Sequence, residues 1–97
     1  MDDVNEVRDI VTSQLSHIRS HFNVDDLYLF GSIVHGERRR DSDIDVLATF
    51  TDEADLYDMS ELQAFLEDLL GSDVDIVSKR AVRDEFKDRI DDEAVKV

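Results

Sequence analysis

A chain of 97 residues with 25 acidic against 11 basic side chains, a formal charge of −14 and no cysteine excludes several classes of protein at once. Disulfide scaffolds and thiolate metal sites are impossible, and so acidic a surface repels nucleic acid unless a cation or a local basic patch intervenes. The length suits one domain, residues 1–97, with 41% hydrophobic residues to fill a core. No apolar run approaches the ~20 residues of a membrane span. Met1-Asp2-Asp3 leads into an acidic amphipathic stretch rather than a leader sequence, so a soluble, cytoplasmic protein is expected.

In chain order, Val4, Val7, Val11, Leu15, Ile18 and Phe22 recur at helical spacing and predict one amphipathic helix over residues 3–22. Leu27, Tyr28, Leu29 and Phe30 form a short apolar run between Asp26 and Gly31, which predicts a buried strand. A connecting segment follows, with one helical turn after Ser32. Residues 43–50 alternate at their start and are β-branched, as a second strand would be. Leu56, Met59, Leu62, Phe65, Leu66 and Leu69 predict a second helix over residues 54–70, closed by Gly71. Residues 73–78 read as a third strand and 81–90, through Val82, Phe86 and Ile90, as a last helix. The strand–helix–strand unit should be a right-handed crossover with parallel strands. The short link between the first two strands favours antiparallel pairing. The predicted fold is α/β, a small mixed sheet of about three strands flanked by helices.

The stretch FGSIVHGERRRDSDID, residues 30–45, carries the chemistry. Side chains alternate along a strand, so Asp43 and Asp45 share one face while Ile44 and Val46 turn to the core. Two adjacent carboxylates stay ionised together only around a cation, and hard oxygen ligands suit Mg²⁺ or Mn²⁺. Asp73 and Asp75 repeat the pattern on the third strand. Either could reach the same site if the strands are neighbours, and Asp75 is preferred because Val74 and Ile76 flank it. Three carboxylates on two adjacent strands are what a two-metal centre needs. Gly31 lets a phosphate approach the backbone, Ser32 adds a hydroxyl, and amides at the start of a helical turn favour an anion. Together these describe a nucleoside triphosphate site.

Asp-x-Asp alone carries no weight here. It occurs at 41/43, 43/45 and 73/75, about as often as this composition predicts. The combination of Gly-Ser, ten intervening residues and Asp-x-Asp is far rarer. His17 and His21 stand at i and i+4, a metal-ligand spacing, but no third ligand is evident and they read as surface histidines. Arg38, Arg39 and Arg40 form the one basic run. They read as a solvated loop or as a patch that steers nucleotide or an acidic partner surface.

LFGS, SDIDVL and VDIV together resemble the minimal nucleotidyltransferases of the DNA polymerase beta-like superfamily, over nearly the whole chain. The resemblance implies a polymerase beta palm-like fold. It also implies that Gly31 and Ser32 hold the triphosphate of ATP, that Asp43 and Asp45 bind two metal ions, and that Asp75 binds the catalytic ion and helps activate the attacking hydroxyl. Relatives commonly pair with an all-helical partner of the HEPN class. Some act as antitoxins that transfer AMP to a tyrosine of that toxic partner. A chain this short leaves little room for an acceptor-binding domain, so a second protein is expected to present the acceptor. A non-catalytic antitoxin that neutralises its partner by occlusion is the alternative, and self-association stays open. Two departures stand out: Val34-His35 where many relatives have Ala-Arg, and no proline before Asp41-Ser42. Contact between His35 and the phosphates would depend on pH.

Overall fold

The apolar stripe of residues 3–22 forms two helices rather than one, α1 (Val4–Ser13) and α2 (Leu15–His21), in the computed structural model, which describes residues 3–36, 43–81 and 93–97. The break has a local cause. Thr12 Oγ1 donates to Arg8 O and Ser13 Oγ to Ile10 O, each at 2.6 Å, so two successive hydroxyls compete with the backbone for helical carbonyls. Gln14 leaves helical geometry at φ −112° and ψ 8°, and its carbonyl then accepts from Ile18 N to start α2. The stripe survives the break, because Val7, Val11, Ile18 and Phe22 are all buried.

Strand β1 (Val24–Phe30) runs into a single helical turn, α3 (Ser32–His35), and is followed by β2 (Ile44–Phe50), α4 (Leu56–Leu70) and β3 (Val74–Ser78). A 3-10 turn over Lys79–Ala81 follows, and β4 (Val95–Lys96) is a short last strand. Among the described residues the sheet has the order β3-β2-β1-β4. β1 and β2 are antiparallel and β2 and β3 parallel, as the connection lengths require. β1 begins three residues earlier than the apolar run suggests, and its register shifts between Val24 and Asp26. β4, which pairs with β1 through Tyr28↔Lys96 and Leu29↔Val95, has no sequence signal of its own at two residues. Of the helix expected over residues 81–90 only Ala81, in the 3-10 turn, is described; the rest of it and the Arg38–Arg40 run lie outside the described residues.

One face of the sheet meets the helices. Leu27, Leu29, Ile44, Val46, Val74 and Ile76 point there and pack with Val7, Ile18, Leu62 and Leu66 into one core. Strand alternation therefore turns Asp45 and Asp75 to the opposite face.

α4 is the best-specified element. Asp55 accepts from Asp58 N at 3.0 Å, while Asp58 accepts from Asp55 N at 3.1 Å, a reciprocal capping box. Asp58 Oδ2 also accepts from Asn23 Nδ2 at 3.1 Å, tying the helix start to the turn before β1, where Asn23 sits at φ 56°. Gly71 ends the helix at φ 64°, as expected. Asp55→Ala should cost about 1 kcal/mol and lower the melting temperature by about 4–8 °C. A thermal melt followed by circular dichroism would show it, and an unchanged midpoint would mean that tertiary packing alone holds this end of the helix.

Candidate active site

β2 delivers the central carboxylate. Asp45 is its second residue, half-buried, in register with Phe30 of β1 on one side and Asp75 of β3 on the other. Asp43 lies just before the strand and is exposed, as is Asp75. Burial pushes the Asp45 carboxyl above its ordinary range, and the charges of Asp75 and Asp43 add to the rise. The three carboxylates that the sequence nominates therefore share one electrostatic environment. They form an open cluster. Among the described residues no three Asp, Glu, His or Cys side chains are gathered closely enough to make a ready coordination sphere.

Asp75 is held by α4. Gln63 Nε2 donates to Val74 O at 2.9 Å and Val74 N donates to Glu67 Oε2 at 3.1 Å. These bonds satisfy backbone groups on an edge strand and fix the residue next to Asp75. Ile44 N also donates to Asp73 O at 2.9 Å, so Asp73 sits where the two strands enter the sheet, one residue before β3. None of Gln63, Glu67 or the Asp73 carbonyl could be assigned this role from spacing alone. Their function follows from the crossover that lays α4 beside β3.

β1 delivers the Gly-Ser turn to the same place. Gly31 directly follows Phe30, the residue paired with Asp45, and adopts φ 76° and ψ −147°, a region open only to glycine. A methyl group there would stand 3.2 Å from Asp45 Cγ and closer still to Oδ2. The missing side chain thus makes room for the Asp45 carboxylate. Gly31 O accepts from Val34 N at 3.1 Å and His35 N at 3.4 Å, which closes α3. Ser32 opens this turn, half-buried, and Gly36 ends it at φ 69°. Gly31, Ser32, Asp45 and Asp75 are thereby brought to one end of the sheet.

Other nominated residues lie elsewhere or do other things. His17 and His21 are exposed on α2 with rings stacked at 5.0 Å, against Phe65 and Phe22 respectively. His35 faces Glu93, Nε2 to Oε2 at 3.4 Å. This link across the chain could not be read from sequence, because β4, which begins two residues after Glu93, was not visible there.

A four-stranded mixed sheet with helices on one face and carboxylates clustered beside a glycine turn is the architecture of a nucleotidyltransferase fold. Comparison with known proteins agrees. Residues 13–97 match the family described as Polymerase beta, Nucleotidyltransferase. Protein adenylyltransferase MntA of Thermococcus cleftensis is 38% identical over 80 residues, spanning 82% of this chain and 81% of that protein. A solved structure described as a minimal nucleotidyltransferase superposes with a TM-score of 0.85 at 34% identity, over 98% of this chain and 96% of the other. A toxin–antitoxin structure with AMP-PNP superposes with a TM-score of 0.69 at 27% identity, over 87% of this chain and 69% of that one. The chain belongs to the polymerase beta nucleotidyltransferase family and is an enzyme of that class. No helix among the described residues is long and apolar enough to cross a membrane.

Proposed function

We propose that this enzyme transfers AMP from ATP to a hydroxyl, a tyrosine in the first instance, of a HEPN-type helical protein partner, and so acts as an antitoxin. The observation that carries the reading is the junction of Gly31 with Asp45, which packs a side-chain-free turn directly against the central carboxylate of the Asp43, Asp45 and Asp75 cluster. The adenylyltransferase relative supports AMP as the transferred group, and the AMP-PNP complex of a toxin–antitoxin pair supports ATP and a protein partner.

In this reading Gly31 and Ser32 hold the triphosphate through backbone amides and the Ser32 hydroxyl. Asp43, Asp45 and Asp75 would hold two Mg²⁺ or Mn²⁺ ions. Their chemistry fits, since burial and the nearby charges of Asp75 and Asp43 raise the proton affinity of Asp45, and a hard divalent cation would neutralise such a set of acidic oxygen donors. Bound ions would offset the charge of the phosphates during transfer. The acceptor oxygen attacks the α-phosphorus in line, forming the new P–O bond as the bond bridging the α and β phosphates breaks. Pyrophosphate leaves with the bonding electrons, and Asp75 would help activate the attacking hydroxyl by accepting its proton. Positioning and charge stabilisation supply most of the acceleration in such transfers.

ATP labelled at the α- or the γ-phosphate, added with Mg²⁺ and the protein to a lysate of the source cells, tests the reading. Transfer of α-label alone to a protein band, lost in Asp43→Asn, is the expected result. Label from neither position, with a partner still captured, would instead favour neutralisation by occlusion.

A further inference from the structure

Among the described residues two large hydrophobic side chains are exposed, and they are neighbours: Leu56 at 86% and Tyr57 at 76%. They open α4, at the end of the sheet opposite the carboxylates, and Leu56 lines a cleft of about 570 Å³. Phe50, Ala54 and Met59 supply its apolar wall, and Lys79 and Arg80 stand at its margin. The volume falls within the range of ordinary binding clefts. Core formation gives no reason for an exposed apolar pair of which one member, Leu56, lines such a cleft, whereas a protein interface does.

The surrounding charge selects the occupant. Arg80 Nη2 is engaged by Asp52 at 3.2 Å, and Lys79 Nζ lies 5.7 Å from the centre of the Tyr28 ring. Exposed Glu53 and Asp55 lie just before Leu56. From Tyr57 the outer face of α4 continues at helical spacing through Glu61, Ala64 and Asp68, all exposed. The patch is thus an apolar knob and cleft followed by an acidic stripe. A second copy of a chain with net charge −14 would bring like charges together there.

We infer that this corner is a docking site for a basic amphipathic helix of the protein acceptor, whose apolar side chains enter the cleft while its cations face Glu61 and Asp68. The inference rests on the proposed transfer to a protein and deepens it. Asp45 and Phe50 are five residues apart on one strand, about 17 Å. A partner anchored at this corner leaves the carboxylate end open, while a globular domain is wide enough to reach it.

The probe is a synthetic amphipathic helix of leucine and lysine, with a leucine–glutamate twin as control. The Leu/Lys peptide should bind and shift the methyl resonances of Met59 and Leu56, and the Leu/Glu twin should not. Leu56→Ser/Tyr57→Ser changes only exposed side chains, and it should weaken binding at least ~10-fold while leaving the thermal response to Mg²⁺ and ATP unchanged. With the acceptor protein as substrate, the same variant should raise its KM and leave kcat and the KM for ATP in place. Peptide binding that the double variant leaves intact, resonance shifts confined to the Asp43–Asp45 end, or equal binding of the twin would overturn the inference. So would self-association at this corner that the variant abolishes. Peptide docking without any α-label transfer would instead sink the proposed chemistry and leave the docking site standing.

Discussion

Gly31→Ala should reduce nucleotidyl transfer by about a hundred-fold or more while leaving a folded protein. Two costs combine. A side chain at φ 76° and ψ −147° is held in a region that costs about 1–3 kcal/mol for any residue but glycine. The new methyl would also press on the Asp45 carboxylate, with Cγ only 3.2 Å away. Because the carboxylate is the end of a side chain with two rotatable bonds, it can swing aside. The steric part of the cost therefore falls on the position of a proposed metal ligand rather than on the fold. Displacements of about 1 Å at such a centre can cost on the order of a hundred-fold in rate. Gly36 is the matched control. It too has a positive φ, 69°, but a Cβ there meets nothing within 4 Å. Gly36→Ala should lower stability by about 1 kcal/mol and leave the rate per folded molecule within a few-fold of the native enzyme. Steady-state rates beside thermal melts of both variants make the comparison. Equal activity losses would mean that Gly31 acts only through its backbone conformation.

That prediction depends on a contact the sequence could not supply, and the division between the legible and the hidden has physical causes. The alternation Asp43, Ile44, Asp45, Val46 fixes faces by itself, because a strand has period two. Asp75 followed from the same rule once the crossover made β2 and β3 neighbours, and the observed register of Asp45 opposite Asp75 is the one that joins them. Gly31 was recognisable as a turn at the end of a strand. Its second use, as clearance for Asp45, needs the pairing of Phe30 with Asp45, which is a tertiary fact. The split at Gln14 was hidden because Thr12 and Ser13 can sit in a helix or interrupt it, depending on where their hydroxyls bond. β4 was hidden because two residues carry no periodicity. Its place is set by bonds such as Val97 N to Leu27 O at 2.9 Å. The cleft beside Leu56 and Tyr57 escaped for a related reason. Leu56 reads as part of the apolar stripe of α4, and its exposure among the described residues appears only in three dimensions.

Asp45→Asn should move activity and stability in opposite directions. Activity should fall about 10³-fold or more, since the variant removes the charge of a proposed metal ligand from the centre of the carboxylate cluster. Stability without divalent ions should rise. Burial, then Asp75, then Asp43 raise the Asp45 carboxyl above its ordinary value of 3.8, so the folded state holds that proton more tightly than the unfolded chain. Between 3.8 and the higher folded value the folded state binds more protons, and stability falls as pH rises through that window. At neutral pH the ionised carboxylate is therefore kept at a net cost. Asparagine keeps the shape and drops the charge. Solvent screening at this half-buried position limits the gain to about half a kcal/mol, a rise of about 2–4 °C in melting temperature. The gap should close as pH falls below about 4, where aspartate is protonated in both states. Mg²⁺ should raise the melting temperature of the native protein and leave Asp45→Asn nearly unmoved, because a ligand stabilises only the state that binds it. A variant that melts below the native protein at pH 7 without divalent ions would show that Asp45 contributes structural bonds outweighing its charge. An undiminished Mg²⁺ shift would place the ion elsewhere. Burial of a carboxylate beside two others gives the fold nothing by itself, and if both expected shifts are seen they would mark Asp43, Asp45 and Asp75 as the proposed metal site rather than as surface charge.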